Sequence, residues 1–467
     1  MKFNGIMIDC ARIIERHEYY YRLVDFMASW GMNTLLFHFT DDTGCSIALP
    51  GFEHIAAKNA FTALEMKKLI AHAKKNGIDI IPELETFGHT RYLTDTKKYA
   101  HLYAGKRTKE LTFNAIDPVS AESRDIMKKL IRAVKKVFSS EYIHIGCDEV
   151  NLAEYCKKNK SDEADVWTSY VNAVIGMVKD ADRTPMMWAD HPTKSAAIAA
   201  KLRKDVILID WRYHRTVKDD VYAGLSRAGF RKIVVAPSIA CWEYRFLPAA
   251  IALENTEKMI GFNAKHKGMG VLTTIWCPFR YLQDALWYGI AFSAFAVRSR
   301  GKVSRAKFNE AFAENVFSSD CKGPIASILS HYPMLTIDHR AARAITGKKP
   351  DASVIAEMKT VHTLAKEVLD LSTWYRPQKN ERIYEAMLLA ATCAYLVSGH
   401  TVFQGATDTV ERSAYNELLR STMKDLSLDW DNTRFADDPQ KRKPKFPGHE
   451  DQFVLTLIEA LSAGTGK

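Results

Sequence analysis

Between residue 5 and about residue 297 one pattern recurs eight times: a short apolar run ending in polar or aromatic residues, then an amphipathic stretch at helical spacing. The runs are Gly5 to Arg12, Thr34 to Thr40, Asp79 to Glu85, Glu141 to Asp148, Thr184 to Asp190, Val206 to His214, Lys232 to Ala240 and Gly270 to Cys277. Short, near-continuous apolar runs alternating with helices mark parallel strands covered on both faces. Eight of them fit an α/β fold of the (β/α)8 TIM-barrel type, whose usual length is about 250 residues. A doubly wound open sheet is the alternative, but no Gly-rich phosphate loop follows the first run. Beyond residue 300 the pattern changes. Val354, Met358, Val361, Leu364, Ala365, Val368 and Leu371 recur at helical spacing, as do Ile383, Met387, Ala390, Ala391 and Ala394. The expected organisation is a catalytic barrel over 1–299 and an α-helical C-terminal region over 300–467, with a polar segment from about Asp429 to Gly448. Its apolar stripes serve packing, and some are candidates for a homodimer interface.

Charge and cysteine content narrow the function. The formal net charge of +10 is spread over the chain, and the densest basic run, Lys441-Arg442-Lys443-Pro444-Lys445, lies near the C-terminus. Without a concentrated stripe or a binding motif, this reads as a solvated surface and not as a nucleic-acid footprint. The eight cysteines form no C-x-x-C pair and no metal-ligand spacing. Several sit inside apolar runs, as buried free thiols do. The N-terminus lacks a charged segment followed by an apolar one, and no segment reaches the roughly 18 apolar residues that span a membrane. A cytoplasmic setting, with no membrane partner, is the expectation.

The chemistry-bearing residues collect where the runs end. Asp9 and Arg12 close the first, Thr40-Asp41-Asp42 the second, and Pro82-Glu83-Leu84-Glu85-Thr86-Phe87-Gly88-His89 the third. The fifth gives Trp188-Ala189-Asp190-His191, the sixth Asp210-Trp211-Arg212-Tyr213-His214, the seventh Cys241-Trp242-Glu243-Tyr244 and the eighth Trp276. The carboxyl ends of barrel strands are where such enzymes hold their active sites. Tryptophans facing a set of acids suit a sugar, since aromatic faces stack on C–H patches while carboxylates accept from hydroxyls. The fourth run, Tyr142 to Val150, closes on the adjacent acids Asp148 and Glu149. Alternation along a strand puts His144, Gly146 and Asp148 on one face and turns Glu149 away. Both acids serve one pocket only if the strand stops and the backbone turns there. Gly146 leaves room beneath Asp148 for a ligand or a bulky neighbour.

Gly5-Ile6-Met7-Ile8-Asp9-Cys10-Ala11-Arg12, Thr40-Asp41-Asp42, Pro82-Glu83 with Phe87-Gly88-His89, and His144-Ile145-Gly146-Cys147-Asp148-Glu149 resemble the successive strand ends of glycoside hydrolase family 20, the β-N-acetylhexosaminidases. The resemblance covers residues 1 to about 297, and its wording is most similar to the hexosaminidase D branch. It implies a glycosidase in which the substrate's own 2-acetamido oxygen attacks the anomeric carbon, giving an oxazolinium ion. Neither metal nor organic cofactor is called for. By this resemblance Glu149 is the acid and base, and Asp148 orients the acetamide. His89, with Asp41 or Asp42, supports the catalytic acid, Asp41 being favoured. Trp188, Trp211 and Trp276 wall the acetamido pocket, and Tyr213, with Tyr244 in reserve, donates to the acetamide oxygen. This division of labour requires Glu149 to hold its proton more tightly than Asp148, as a less solvated position would allow.

Two positions depart from the family's pattern. Asn4 replaces the arginine that precedes the first-strand glycine, and Pro278 replaces the glutamate two residues after Trp276. Both family residues grip sugar hydroxyls, so with Asn4 and Asp9 among the substrate-binding positions the choice between N-acetylgalactosamine and N-acetylglucosamine is left open. The expected partner is an amino-sugar glycan or glycoconjugate. A catalytically inactive sugar-binding protein on the same barrel is the alternative, though such a protein has no need of a protonating acid.

Overall fold

The structure is a computed structural model that describes residues 1–105, 115–240, 244–345, 349–402, 409–435 and 454–464. Eight parallel strands form a closed barrel: β1 (Phe3–Asp9), β2 (Thr34–His38), β3 (Asp79–Glu83), β4 (Tyr142–His144), β5 (Thr184–Trp188), β6 (Ile207–Trp211), β7 (Ile233–Ala236) and β8 (Gly270–Ile275). Each pairs with the next, and β8 pairs with β1 to close the ring. At that seam the amides of Lys2 and Phe3 donate to the Met269 carbonyl at 2.9 and 3.2 Å. Closure removes the unpaired edges that an open sheet would expose.

Helices between the strands carry apolar faces matched to this sheet. In α1 (His17–Ser29), Tyr20, Leu23, Val24 and Met27 are buried, which is the i, i+3, i+4, i+7 stripe of a helix with one covered side. In α2 (Ala63–Lys75), Met66, Leu69, Ile70 and Ala73 repeat it. A capping box starts α2: the Glu65 amide donates to Thr62 Oγ1, and the Thr62 amide donates to the Glu65 carboxylate. Ser120 and Asp162 cap α3 (Ala121–Val137) and α4 (Glu163–Asp180) through their side-chain oxygens.

The chain divides into two compact units, residues 1–237 with 258–274 and residues 238–257 with 275–467. The expected boundary at 299 therefore falls inside the second unit. The reason is the helix α5 (Trp287–Arg298), which is apolar almost all round and packs within that unit. The Tyr288 ring meets Phe308, Phe312 and Tyr332 at 4.9, 5.1 and 5.7 Å. Further on, the unit is helical, as expected. In α6 (Ala352–Ser372), Val354, Met358, Val361, Ala365 and Val368 are buried, while Leu364 and Leu371 are half-buried. All five predicted stripe residues of α7 (Glu381–Val402) are buried. Residues 429–433, where the polar segment is expected to start, are helical as the end of Thr409–Thr433; 436–453, including the basic run, lie outside the described residues. Among the described residues no helix is long and apolar enough to cross a membrane.

Candidate active site

The barrel's carboxyl end carries a row of polar residues in register. Asp9 pairs with His38, His38 with Glu83 and Glu83 with His144, each being the last residue of its strand. A row of charged groups inside a barrel is costly unless paired, and these are paired. Arg12 joins Asp9 at 2.8 Å to Asp41 at 2.9 Å. His38 bridges Asp41 and Glu83 through its two ring nitrogens, each at 3.1 Å. Glu83 also accepts from the Trp188 indole N–H at 2.7 Å. Burial opposes charge on His38, but Glu83 and Asp41 outweigh it and hold the imidazole protonated well above its ordinary range. His144 takes the opposite state. Burial lowers its pKa to about 4, and its Nδ1 accepts from the Gly146 amide at 3.1 Å, as a neutral ring does.

β4 stops at His144, four residues before the predicted run ends, and the backbone then turns. Gly146, Cys147 and Glu149 have φ of 64°, 70° and 49°. Left-handed backbone at a non-glycine residue costs about 1–2 kcal/mol, so this turn is maintained by its surroundings. The segment after β3 is packed beneath it: Thr86 Oγ1 donates to the Ile145 carbonyl at 2.7 Å, and Tyr170 of α4 donates to the Thr86 carbonyl at 2.8 Å. Gly88 lies so near the turn that a Cβ there would sit 2.5 Å from the Asp148 carbonyl oxygen. The turn does what strand alternation alone forbids. His89 Nε2 lies 3.8 Å from Asp148 Oδ2 and 3.4 Å from Glu149 Oε2, so the two acids face one imidazole.

On its other side His89 Nδ1 meets Asp42 Oδ2 at 3.0 Å, whereas Asp41 is 3.9 Å away. Asp42, not Asp41, is thus the partner of His89. Asp41 is committed to Arg12 and His38, and despite burial the Arg12 guanidinium and both imidazoles hold its carboxyl far below the usual range. His89 stays cationic: burial works against its charge, and Asp41, Asp148, Asp42 and Glu149 overcome it.

The solvation of the paired acids reverses the expectation. The Asp148 side chain is 11% exposed and that of Glu149 34%. Burial pushes Asp148 up to about 8, with Asp190, Glu149 and Glu83 acting the same way against the pull of His89. The turn points the second acid outward and tucks the first against the barrel, which alternation along an ideal strand does not reveal.

Asn4 does not join the site. It lies at the amino end of β1, where its side chain donates to the Gly31 carbonyl at 3.0 Å and its amide to Asn33 Oδ1 at 2.8 Å, away from Asp9 at the other end of the strand. Asp9 is buried and engaged with Arg12 and with the amides of Ala11 and Arg12. Trp188 is tied into the core through Glu83 and sits edge-on to His144 at 4.6 Å. Trp211 ends β6 half-buried, its ring 5.4 Å from that of Tyr213. Trp276 follows β8 in the second unit, where its amide donates to the Ala240 carbonyl at 3.0 Å. Trp242 and the side chain of Tyr244 lie outside the described residues.

Sequence reasoning assigned no role to His38, Glu83, Glu85 or His144. The available signal was positional, since three of them end adjacent strands. Glu85 is the least expected. It is fully buried, neither carboxyl oxygen has a hydrogen-bond partner among the described residues, and it fills the space that Gly146 leaves. Burial, reinforced by Asp148, raises its pKa well above the carboxylate range, so it is a neutral acid. Groups such as His38, Glu83 and Glu85 lie within 4.8 Å of one another, as do His89, Asp148 and Glu149.

A parallel barrel with two adjacent acids and a buried imidazolium at the carboxyl ends of its strands is a site for acid–base chemistry. Residues 1–248 match the model of glycosyl hydrolase family 20, catalytic domain, and the chain belongs to that family. It is 26% identical over 260 residues to the beta-hexosaminidase subunit alpha of Mus musculus, covering 50% of this chain and 47% of that one. It is 23% identical over 273 residues to a beta-hexosaminidase of Vibrio furnissii, covering 50% and 43%. The chain spans about half the length of the curated relatives it matches. The fold is shared with a Streptomyces plicatus N-acetyl-beta-hexosaminidase (TM-score 0.52, 16% identity, 67% and 66% of the two chains). It is shared likewise with a Flavobacterium johnsoniae chitobiase (0.52, 15%, 99% and 78%).

Proposed function

We propose that the protein is an exo-acting β-N-acetylhexosaminidase that removes a terminal β-linked N-acetylgalactosamine or N-acetylglucosamine with retention, by participation of the substrate's acetamide. One observation carries the reading: the left-handed turn brings Asp148 and Glu149 to the same imidazole while leaving them unequally exposed. The deeper acid suits the acetamide N–H, and the outer acid suits the leaving oxygen. Glu149 protonates that oxygen as the acetamide oxygen attacks the anomeric carbon. The glycosidic bond breaks, and the oxazolinium ion forms. Glu149, now a carboxylate, takes a proton from the water that opens the ring. Retaining enzymes in general supply a carboxylate nucleophile, and substrate assistance of this kind is a recognised exception.

The protonation states are consistent with this once substrate is considered. In the free protein burial favours the neutral form of Asp148. An acetamide N–H donated to Asp148 favours its ionised form, and a sugar covering Glu149 removes water from it and favours its neutral form. Binding therefore favours an ionised orienting acid and a protonated reacting one. Ionised Asp148 then stabilises the positive charge on the oxazolinium ring. The inactive sugar-binding alternative gives no reason for two acids to be held on a strained turn.

The test is the initial rate on paired chromogenic β-N-acetylgalactosaminide and β-N-acetylglucosaminide substrates, with Glu149→Gln beside the native protein. Turnover that falls by about 10²-fold or more in the variant, with binding retained, supports the reading; undiminished turnover sinks it. The ratio between the two sugars reports their discrimination in a protein that has Pro278 where the family has a glutamate. A thiazoline analogue of the cyclised intermediate should inhibit strongly, and indifference to it argues against acetamide participation.

A further inference from the structure

β4 ends at His144, and of the turn that follows only the first amide, that of Ile145, still donates to a neighbouring strand among the described residues, at 2.8 Å to the Met186 carbonyl of β5. Besides the Gly146 amide, which goes to His144 Nδ1, two more are taken by side chains that follow β5. The Glu149 amide donates to Asp190 Oδ2 at 3.1 Å, and the Val150 amide donates to His191 Nε2 at 3.0 Å. The acceptors are consecutive residues just after β5, at the start of the short helix Asp190–Lys194. Both are braced. Thr193 Oγ1 donates to the Asp190 carbonyl at 2.7 Å, and the His191 ring packs 5.0 Å from Trp167 of α4. His191 accepts through Nε2 only when that nitrogen is unprotonated, and burial favours the neutral ring against the pull of Asp190. Lys194 Nζ lies 3.6 Å from Asp190, and His191 Nε2 lies 3.8 Å from it.

Neither residue takes part in the proton transfers above, yet together they hold the two residues that set the direction of the outer acid. With φ at 49°, Glu149 occupies a conformation that a free chain leaves readily. We propose that Asp190 and His191 clamp the backbone of Glu149 and Val150, and are positioning residues that keep the Glu149 carboxyl in line with the leaving oxygen. The proposal rests on Glu149 being the catalytic acid.

A loosened acid harms substrates in proportion to their need for protonation. The experiment compares kcat and KM on a nitrophenyl glycoside, whose leaving group departs with little help, and on an alkyl glycoside of the same N-acetylhexosamine, which requires the acid. In Asp190→Ala, kcat on the alkyl glycoside should fall about 100-fold and on the nitrophenyl glycoside less than about tenfold, with KM within about threefold of native. Asp190→Asn and His191→Gln keep an acceptor oxygen, and each should retain kcat within about threefold. Equal losses on both substrates, native kcat in Asp190→Ala, or Asp190→Asn as damaged as Asp190→Ala would each overturn the clamp. Should Asp190→Ala fail to fold, the other two proteins decide: near-native rates uphold the clamp, and losses as deep as in Glu149→Gln refute it. Full turnover in Glu149→Gln defeats the functional reading itself, a result distinguishable from any of these.

Discussion

Gly146→Ala is the substitution whose cost can be read most directly from the structure. Gly146 has φ of 64°, and a Cβ there would lie 2.0 Å from Glu85 Oε2 and 2.4 Å from its Cδ. Two separable penalties follow. The left-handed conformation costs alanine about 1–2 kcal/mol. Displacing Glu85, which has no exposed surface into which to swing, adds an overpacking term of about 1–3 kcal/mol. The variant should therefore lose roughly 2–5 kcal/mol. Glu85→Ala removes the obstacle but not the backbone strain, so in Gly146→Ala/Glu85→Ala the overpacking term should vanish, giving a favourable coupling of about 1–3 kcal/mol. The assay is urea unfolding followed by tryptophan fluorescence, with activity measured on the same samples. Because the chain has two compact units, the transition to compare is the one that coincides with loss of activity. A Gly146→Ala protein within about 0.5 kcal/mol of native, or a cycle without coupling, would refute the wedged position of Glu85.

Other perturbations probe the site's charges and the scaffold. With Asp148 raised from 3.8 to about 8, the native state retains a proton that the unfolded chain releases, so stability falls as pH rises through that window by at most about 1.4 kcal/mol per unit. Asp148→Asn should then be more stable than native near pH 8, by an amount that shrinks to nothing near pH 4; parallel stability curves from denaturation at pH 4, 6 and 8 would contradict this. Asp42→Asn removes the anion that His89 Nδ1 faces at 3.0 Å, weakening a charge-assisted bond by about 1 kcal/mol. Its kcat/KM should hold at acid pH and drop several-fold as pH rises, which a full pH profile would check, whereas a uniform loss would mean that Asp42 serves only packing. Thr62→Ala removes half of the α2 capping box and should cost about 1 kcal/mol in denaturation without changing kcat.

The barrel was legible because its strands are covered on both faces, so that Thr34–His38 and Ile80–Glu83 are buried at every residue and appear in the sequence as unbroken runs. The site was legible where its chemistry lay at strand ends, as with Asp148, Glu149 and His89. What escaped depended on backbone geometry or on competition between like groups. Asp41 and Asp42 are neighbours of the same type, and only the positions of Arg12 and His38 decide that Asp41 is occupied and Asp42 faces His89. The boundary near 299 followed from the change in periodicity, but a helix apolar on all sides, such as α5, carries no mark of which unit buries it. Asn4 was placed by correspondence of position in the chain, and its short side chain bonds locally at the amino end of β1.

A barrel selected for stability alone would fill this layer with branched apolar side chains. Here it holds Asp9, His38, Glu83 and His144, with Glu85 beneath Gly146. Their states differ according to the partners within reach. Glu83 is kept ionised, although burial opposes it, by the His38 imidazolium and the Trp188 indole N–H, whereas on Glu85 burial and the nearby Asp148 outweigh the pull of His89 and His38, and it keeps its proton. That difference bears on the reaction. An ionised Glu85 would add a negative charge beside Asp148 and drive its pKa higher still, so that an acetamide N–H would have more to overcome in ionising it. A neutral Glu85 fills the space under the turn, supports the strained backbone by bulk, and adds no charge. Glu85→Gln preserves shape and neutrality and should therefore leave the pH profile of kcat/KM almost unchanged. A profile displaced toward acid in that variant would mean that Glu85 carries charge in the working enzyme, and that the proton ascribed to it resides elsewhere in the layer.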